Sequence, residues 1–153
     1  KIKKNGGFAD MLIDQLSIFV ANRHGRLTEI TEILADARID IRALSLADTT
    51  DFGILRLIVN NPTYAEERLK ASGLTVRLTK VIAAKLEDVP GALNKVLRIL
   101  TRADISVEYA YAFITPKNAD ACVILRVENN EKAIEALTKN DVKLLSPSEI
   151  YEI

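Results

Sequence analysis

The sequence predicts an α+β chain of two tandem βαββαβ modules, each an antiparallel sheet with its helices on one face. Three observations carry this reading. The 153 residues repeat themselves once, each half alternates strand-like and helix-like apolar patterning in the same order, and 48% apolar residues suffice for two small cores. The repeat appears when Asn22-Arg23-His24-Gly25-Arg26-Leu27 is laid over Asp88-Val89-Pro90-Gly91-Ala92-Leu93. Ile30 then meets Val96, and Ile33-Leu34 meets Ile99-Leu100. A two-residue insertion in the following hairpin aligns residues 57–61 with 125–129, and Ala65 and Leu69 with Ala133 and Leu137. The order of elements with right-handed crossovers is that of a ferredoxin-like module, present twice.

In the first copy, residues 12–20 are rich in branched side chains and read as a strand. Residues 26–38 place Leu27, Ile30, Ile33, Leu34 and Ala37 on one helical stripe. Residues 39–46 and 52–59 flank a polar cluster at 47–51 and form a hairpin. Asn61-Pro62 starts a second helix, Ser72-Gly73 ends it, and residues 74–79 supply the last strand. The second copy repeats this at 81–86, 92–102, 105–114, 121–127, 130–139 and 142–145. The tail from 146 is expected to add a turn and a short strand. The modules are thus set at 12–79 and 80–153. Residues 1–11 carry positive charge with no apolar core behind it, unlike a signal peptide, and are expected as a flexible extension. The strand at 54–59 is apolar on both faces, which favours pairing between domains and a homodimer.

Composition narrows the function. Lys+Arg and Asp+Glu both number 21, so the net charge is +0 and there is no basic excess to displace counterions from nucleic acid. Apolar runs are too short to cross a bilayer, so no membrane role is expected. Cys122 is the single cysteine, which rules out an internal disulfide or a cysteine-built zinc cage and suits a reducing, cytoplasmic setting. His24 is the single histidine, and no base–nucleophile pair can be named. Neither catalytic residues, a metal site nor a cofactor is expected. Cys122 reads as a small hydrophobe, and Tyr109, Tyr111 and Phe113 share one strand face as packing or interface residues.

The turn at Asn22–Gly25 and again at Asp88–Gly91 has a chemistry of its own. It joins a strand to the first turn of a helix, where backbone N–H groups lack intrahelical partners and the helix dipole adds positive charge. A carboxylate is stabilised there, and Gly25 or Gly91 removes the Cβ that would bar its approach. Asn22 or Asp88 can hold an ammonium group beside it, so an α-amino acid, with both charges a short distance apart, fits. Asn22 and Asp88 also suit plain helix capping and tight turns, a structural reading that needs no ligand.

The two turns, inside a doubled βαββαβ frame, resemble the acidic-or-Asn, x, Pro, Gly, x, Leu turn of the ACT domain family, effector-binding modules of amino-acid metabolism. The resemblance covers nearly everything from residue 12 onward, and the chain is similar to stand-alone tandem ACT proteins. It implies a non-catalytic regulatory protein that binds an amino acid at a domain or dimer interface and acts on a separately encoded enzyme. The ligand residues it implies are Asn22, His24, Gly25 and Leu27 in the first copy, and Asp88, Pro90, Gly91 and Leu93 in the second. Similarity to the ACT module of phosphoglycerate dehydrogenase adds a polar contact from the start of the second strand, here Asp40 and Ser106. Val20 stands where that module has an imidazole, and His24 stands at the proline position. The Asn22 copy is the preferred binder, because a neutral amide adds no negative charge beside the ligand's carboxylate. The competing reading is an assembly module that keeps the fold and binds nothing.

Overall fold

Alternating apolar strands and single-stripe helices close into two units in the computed structural model, which describes residues 7–48, 51–114 and 120–152. One unit is Asp14–Thr79; the other is Lys80–Tyr151 with the described N-terminal residues up to Ile13. The chain runs through β1 (Leu12–Ala21), α1 (Arg26–Asp36), β2 (Ile41–Asp48), β3 (Phe52–Val59), α2 (Pro62–Ala71) and β4 (Val76–Glu87). It continues with α3 (Ala92–Arg102), β5 (Val107–Ile114), β6 (Asp120–Val127), α4 (Asn130–Lys139) and α5 (Pro147–Tyr151).

The first unit has strand order β2-β3-β1-β4, antiparallel through β2, β3 and β1. The start of β4 joins through the N–H of Phe19, which donates to the carbonyl of Thr75 at 3.0 Å. Period-two alternation puts Leu16, Ile18, Leu55, Leu57 and Val76 on the face that meets Ile30 and Leu34 of α1 and Ala65 and Leu69 of α2. The second unit repeats this with β4-β6-β5. Its core joins Ile82, Val123 and Leu125 to Val96 and Leu100 of α3 and Ile134 and Leu137 of α4. Both hairpins shift register at the same place, between Ile41 and Ala43 and between Val107 and Tyr109. Such agreement down to a bulge means the repeat extends to backbone detail.

All four long helices end alike. The N–H groups of Ile39, Leu74, Ile105 and Val142 donate to the carbonyls of Leu34, Leu69, Leu100 and Leu137, five residues back. The preceding N–H groups donate to Ala35, Lys70, Thr101 and Thr138, which completes a Schellman motif each time. This motif needs a left-handed residue before its last donor. Gly73 provides it at α2, while Arg38, Asp104 and Asp141 adopt φ of 55°, 56° and 60° elsewhere. Helix α1 therefore stops at Asp36, two residues short of the span its stripe suggests.

Three expectations change. The tail forms the helix α5 instead of a turn and strand, because Ser146 and Glu149 make reciprocal capping bonds ahead of it. Residues 142–145 touch β4 through a single bridge, Ala84 to Leu144, flanked by backbone bonds from Lys85 to Lys143 and from Leu145 to Ala83. Phe8–Met11, in the stretch read as a flexible extension, forms one 3-10 turn, with Met11 packed against the second core. The rest of that stretch, residues 1–6, lies outside the described residues.

Tyr109, Tyr111 and Phe113 lie half-buried on the sheet face away from α3 and α4, opposite Arg126, Ile124 and Cys122 of β6. Cys122 is fully buried, and burial pushes its thiol up to about 12.

Left-handed backbone costs a side chain with a Cβ about 1 kcal/mol. Arg38→Gly is therefore expected to raise unfolding stability by about that amount in urea titration, and no gain would contradict the strain assigned here.

Candidate functional site

The two glycine turns are superposable in their hydrogen bonds. In the first, Arg23 N–H donates to Ala21 (2.8 Å), Arg26 N–H to Arg23 (3.3 Å) and Glu29 N–H to Gly25 (3.0 Å). In the second, Val89 N–H donates to Glu87 (2.9 Å), Ala92 N–H to Val89 (3.2 Å) and Lys95 N–H to Gly91 (3.0 Å). Gly25 and Gly91 are the N-cap residues, at φ 80° and 89°, a region that favours glycine. A Cβ built at either would meet nothing within 4 Å, so the space before each helix is open.

A glycine cannot cap a helix with its side chain, and this sets α1 and α3 apart. Asn61 caps α2 by accepting from Tyr64 N–H, Asn129 caps α4 by accepting from Lys132 N–H, and α5 has its Ser–Glu pair. At α1 and α3 the amides of Leu27 and Thr28, and of Leu93 and Asn94, precede the first intrahelical donors, Glu29 and Lys95. Two adjacent donors at the positive end of a helix dipole suit a carboxylate.

The electrostatic setting differs between the copies. In the first, Glu29 accepts from Arg26 at 2.7 Å and Arg23 at 3.2 Å. The Arg26 hydrogen bond is the main reason the Glu29 carboxyl lies below its ordinary 4.5, with the charges of both arginines adding. The first copy thus holds a carboxylate of its own close to the helix start. In the second, Lys95 takes the place of Glu29 and the first turn of α3 has no acid. An open cleft of about 690 Å³ adjoins it, lined by Val89, Pro90 and Gly91 and by the charged residues Lys85, Glu87, Lys95, Asp120, Asp141 and Lys143. Lys85 and Asp120 pair at 2.6 Å on its wall.

The residues expected at the two turns lie at the surface. Asn22, His24, Asp88 and Pro90 are exposed, and Leu27 and Leu93 are each 43% exposed, outside the cores. Asp40 and Ser106 are not beside the turns of their own modules. Each follows the far end of its helix, and eleven residues at 1.5 Å separate it from the glycine by about 16 Å. Asp40 is instead paired with Arg42 at 2.9 Å, and its N–H donates to Asn60. The sequence reading does not single out Lys95, Lys85 and Lys143, which line this cleft; Lys95 is readable as the one basic residue in the opening turn of α3. Among the described residues no group of His, Cys, Asp or Glu could hold a metal, and no helix is long and apolar enough to cross a membrane.

Comparison with known proteins places these modules. A family model described as an ACT domain pair matches residues 11–153. Protein BT0572 from Bacteroides thetaiotaomicron, solved by crystallography, is 43% identical with a TM-score of 0.88, covering 94% of this chain and 98% of that one. The ligand-free regulatory subunit of aspartate kinase from Thermus thermophilus shares the fold at 16% identity and a TM-score of 0.59, covering 85% of this chain and 93% of its own. The corresponding subunit from Thermus flavus gives 16% and 0.54, covering 83% and 92%. No relative was found among curated proteins.

Arg26→Ala removes the main partner of Glu29. Its carboxyl is then expected to titrate nearer the ordinary value in NMR-detected pH titration, and an unmoved midpoint would contradict the assignment.

Proposed function

Since the chain belongs to the ACT domain pair family, we propose that it is a sensor that binds a free amino acid at the turn before α3 and acts on an enzyme of amino-acid metabolism made as a separate chain. Modules of this family are regulatory and non-catalytic, so the chain is not an enzyme. The observation that carries the proposal is the uncapped helix start at Gly91, opening on a cleft that holds Lys95. The ligand's carboxylate takes the amides of Leu93 and Asn94 and the ammonium of Lys95. Its own ammonium faces Asp88, and its side chain lies along the cleft toward Val89 and Pro90.

This reverses the preference for the Asn22 copy. There the net gain from a ligand carboxylate is smaller, because Glu29 already engages Arg23 and Arg26. That observation favours the assembly reading for the first module alone. A homodimer belongs to the proposal. Asp40 and Ser106 are a helix length from the turns of their own modules, so either can serve a turn only on another module. The unpaired, buried Cys122 supports a cytoplasmic setting.

Thermal-shift measurements with the common amino acids are expected to raise Tm for one chemical class. Asp88→Asn should weaken that ligand roughly tenfold or more, the worth of a charge-assisted hydrogen bond, while Asn22→Ala leaves it near wild type. No response to any amino acid, or a loss confined to Asn22→Ala, would overturn the assignment.

A further inference from the structure

Helix α3 departs from the other long helices in how its charges are arranged. In α1, α2 and α4 a base pairs with an acid three or four residues away: Arg26 with Glu29, Lys70 with Glu66, Lys139 with Glu135. Helix α3 carries Lys95, Arg98 and Arg102 and no acid. The spacing of three and four puts these cations on one stripe, its ends about 10 Å apart along the axis. All three are exposed and form no ion pair among the described residues. Helix stability does not account for the arrangement. Like charges at this spacing repel, and Lys95 lies close to the positive end of the helix dipole. Nor does the fold require it, because adding 66 to Glu29, Glu32 and Asp36 of α1 gives the same three positions, there all acidic.

The three side chains share a recess. A cleft of about 290 Å³ is lined by Lys95, Arg98 and Arg102, by Asn94, and by Asn140 at the end of α4. No acid lines it. Asn140 donates one amide hydrogen to the Ala136 carbonyl at 2.8 Å and keeps a second. This is not the cleft assigned to the amino acid. Lys85, Asp120 and Lys143 line that one alone, and Arg98 and Arg102 line this one alone, while Gly91, Lys95 and Asn140 border both.

We propose that this recess binds a small molecule carrying one or two phosphoryl groups. A single carboxylate balances only one of the three cations, whereas a phosphate monoester carries a charge of about −2 and a diphosphate more. An arginine fork takes two phosphate oxygens at once, and asparagine amides donate to the others. The size of the recess suits a compact anion better than a length of protein chain. The proposal is independent of the amino-acid reading, which uses neither Arg98 nor Arg102.

Titration calorimetry at constant ionic strength tests it, with pyrophosphate, inorganic phosphate, ADP and a hexaglutamate peptide as probes. Wild type should bind pyrophosphate saturably, and Arg98→Gln with Arg102→Gln should weaken it about tenfold or more. Lys95 stays in place because it borders both clefts, so the response to amino acids should be unchanged in this variant. ADP binding more tightly than pyrophosphate, or phosphate binding as tightly, supports the site and identifies a nucleotide or a phosphate monoester respectively. Circular-dichroism melting checks that the variant folds. The Arg98 and Arg102 Nε signals of the wild-type chain, which need no substitution, should shift in NMR spectra as pyrophosphate is added. Absence of saturable binding, equal binding by the variant, or unmoved arginine signals overturns the proposal. Tighter binding of hexaglutamate than of pyrophosphate also overturns it, the recess then being a docking surface for an acidic protein segment. Pyrophosphate binding without any response to amino acids supports this site and overturns the sensor reading alone.

Discussion

At Gly25 and Gly91 the backbone must pass through a left-handed conformation to turn from strand into helix, and the residue that does this most easily has no side chain with which to cap the helix. The same choice that makes the turn therefore leaves helix amides without a partner. In α2 and α4 an asparagine closes the equivalent end. This contrast, internal to one chain, separates helices built as scaffold from helices built with an open end. The proposed binding chemistry depends on it.

Duplication left the scaffold nearly untouched and changed what surrounds the open ends. Register shifts, turn hydrogen bonds and Schellman endings agree between modules, since each is fixed by backbone geometry that few side-chain changes disturb. Charges beside the turns have diverged, because exposed positions tolerate substitution at little cost in stability. Glu29 and Lys95 occupy one structural position with opposite sign. One module consequently engages its own arginines, while the other keeps an open cleft lined by bases and acids alike.

Much of the fold was legible because periodicity reports burial directly. Ile30, Leu34, Val96 and Leu100 were read as core from spacing and are buried. Leu27 shared that stripe and is exposed, outside the core that Ile30 and Leu34 join, a tertiary fact that a helical wheel does not contain. The tail was misread because Ser146–Glu149 is a capping pair of only four residues, easily taken for a turn. At the site, the turns were visible as repeated motifs. Whether Asp40 stood near Gly25 depended on helix direction, which resemblance to another module's contact does not carry within one chain. The cleft was invisible, because Lys85, Asp120 and Lys143 converge on it from three separate segments.

Backbone amide NMR reads the open helix starts directly. On adding amino acids, the amides of Leu93 and Asn94 should shift most, while those of Tyr64 and Lys132, already held by Asn61 and Asn129, stay in place. Unmoved Leu93 and Asn94 signals, or shifts as large at the capped helices, would contradict the account.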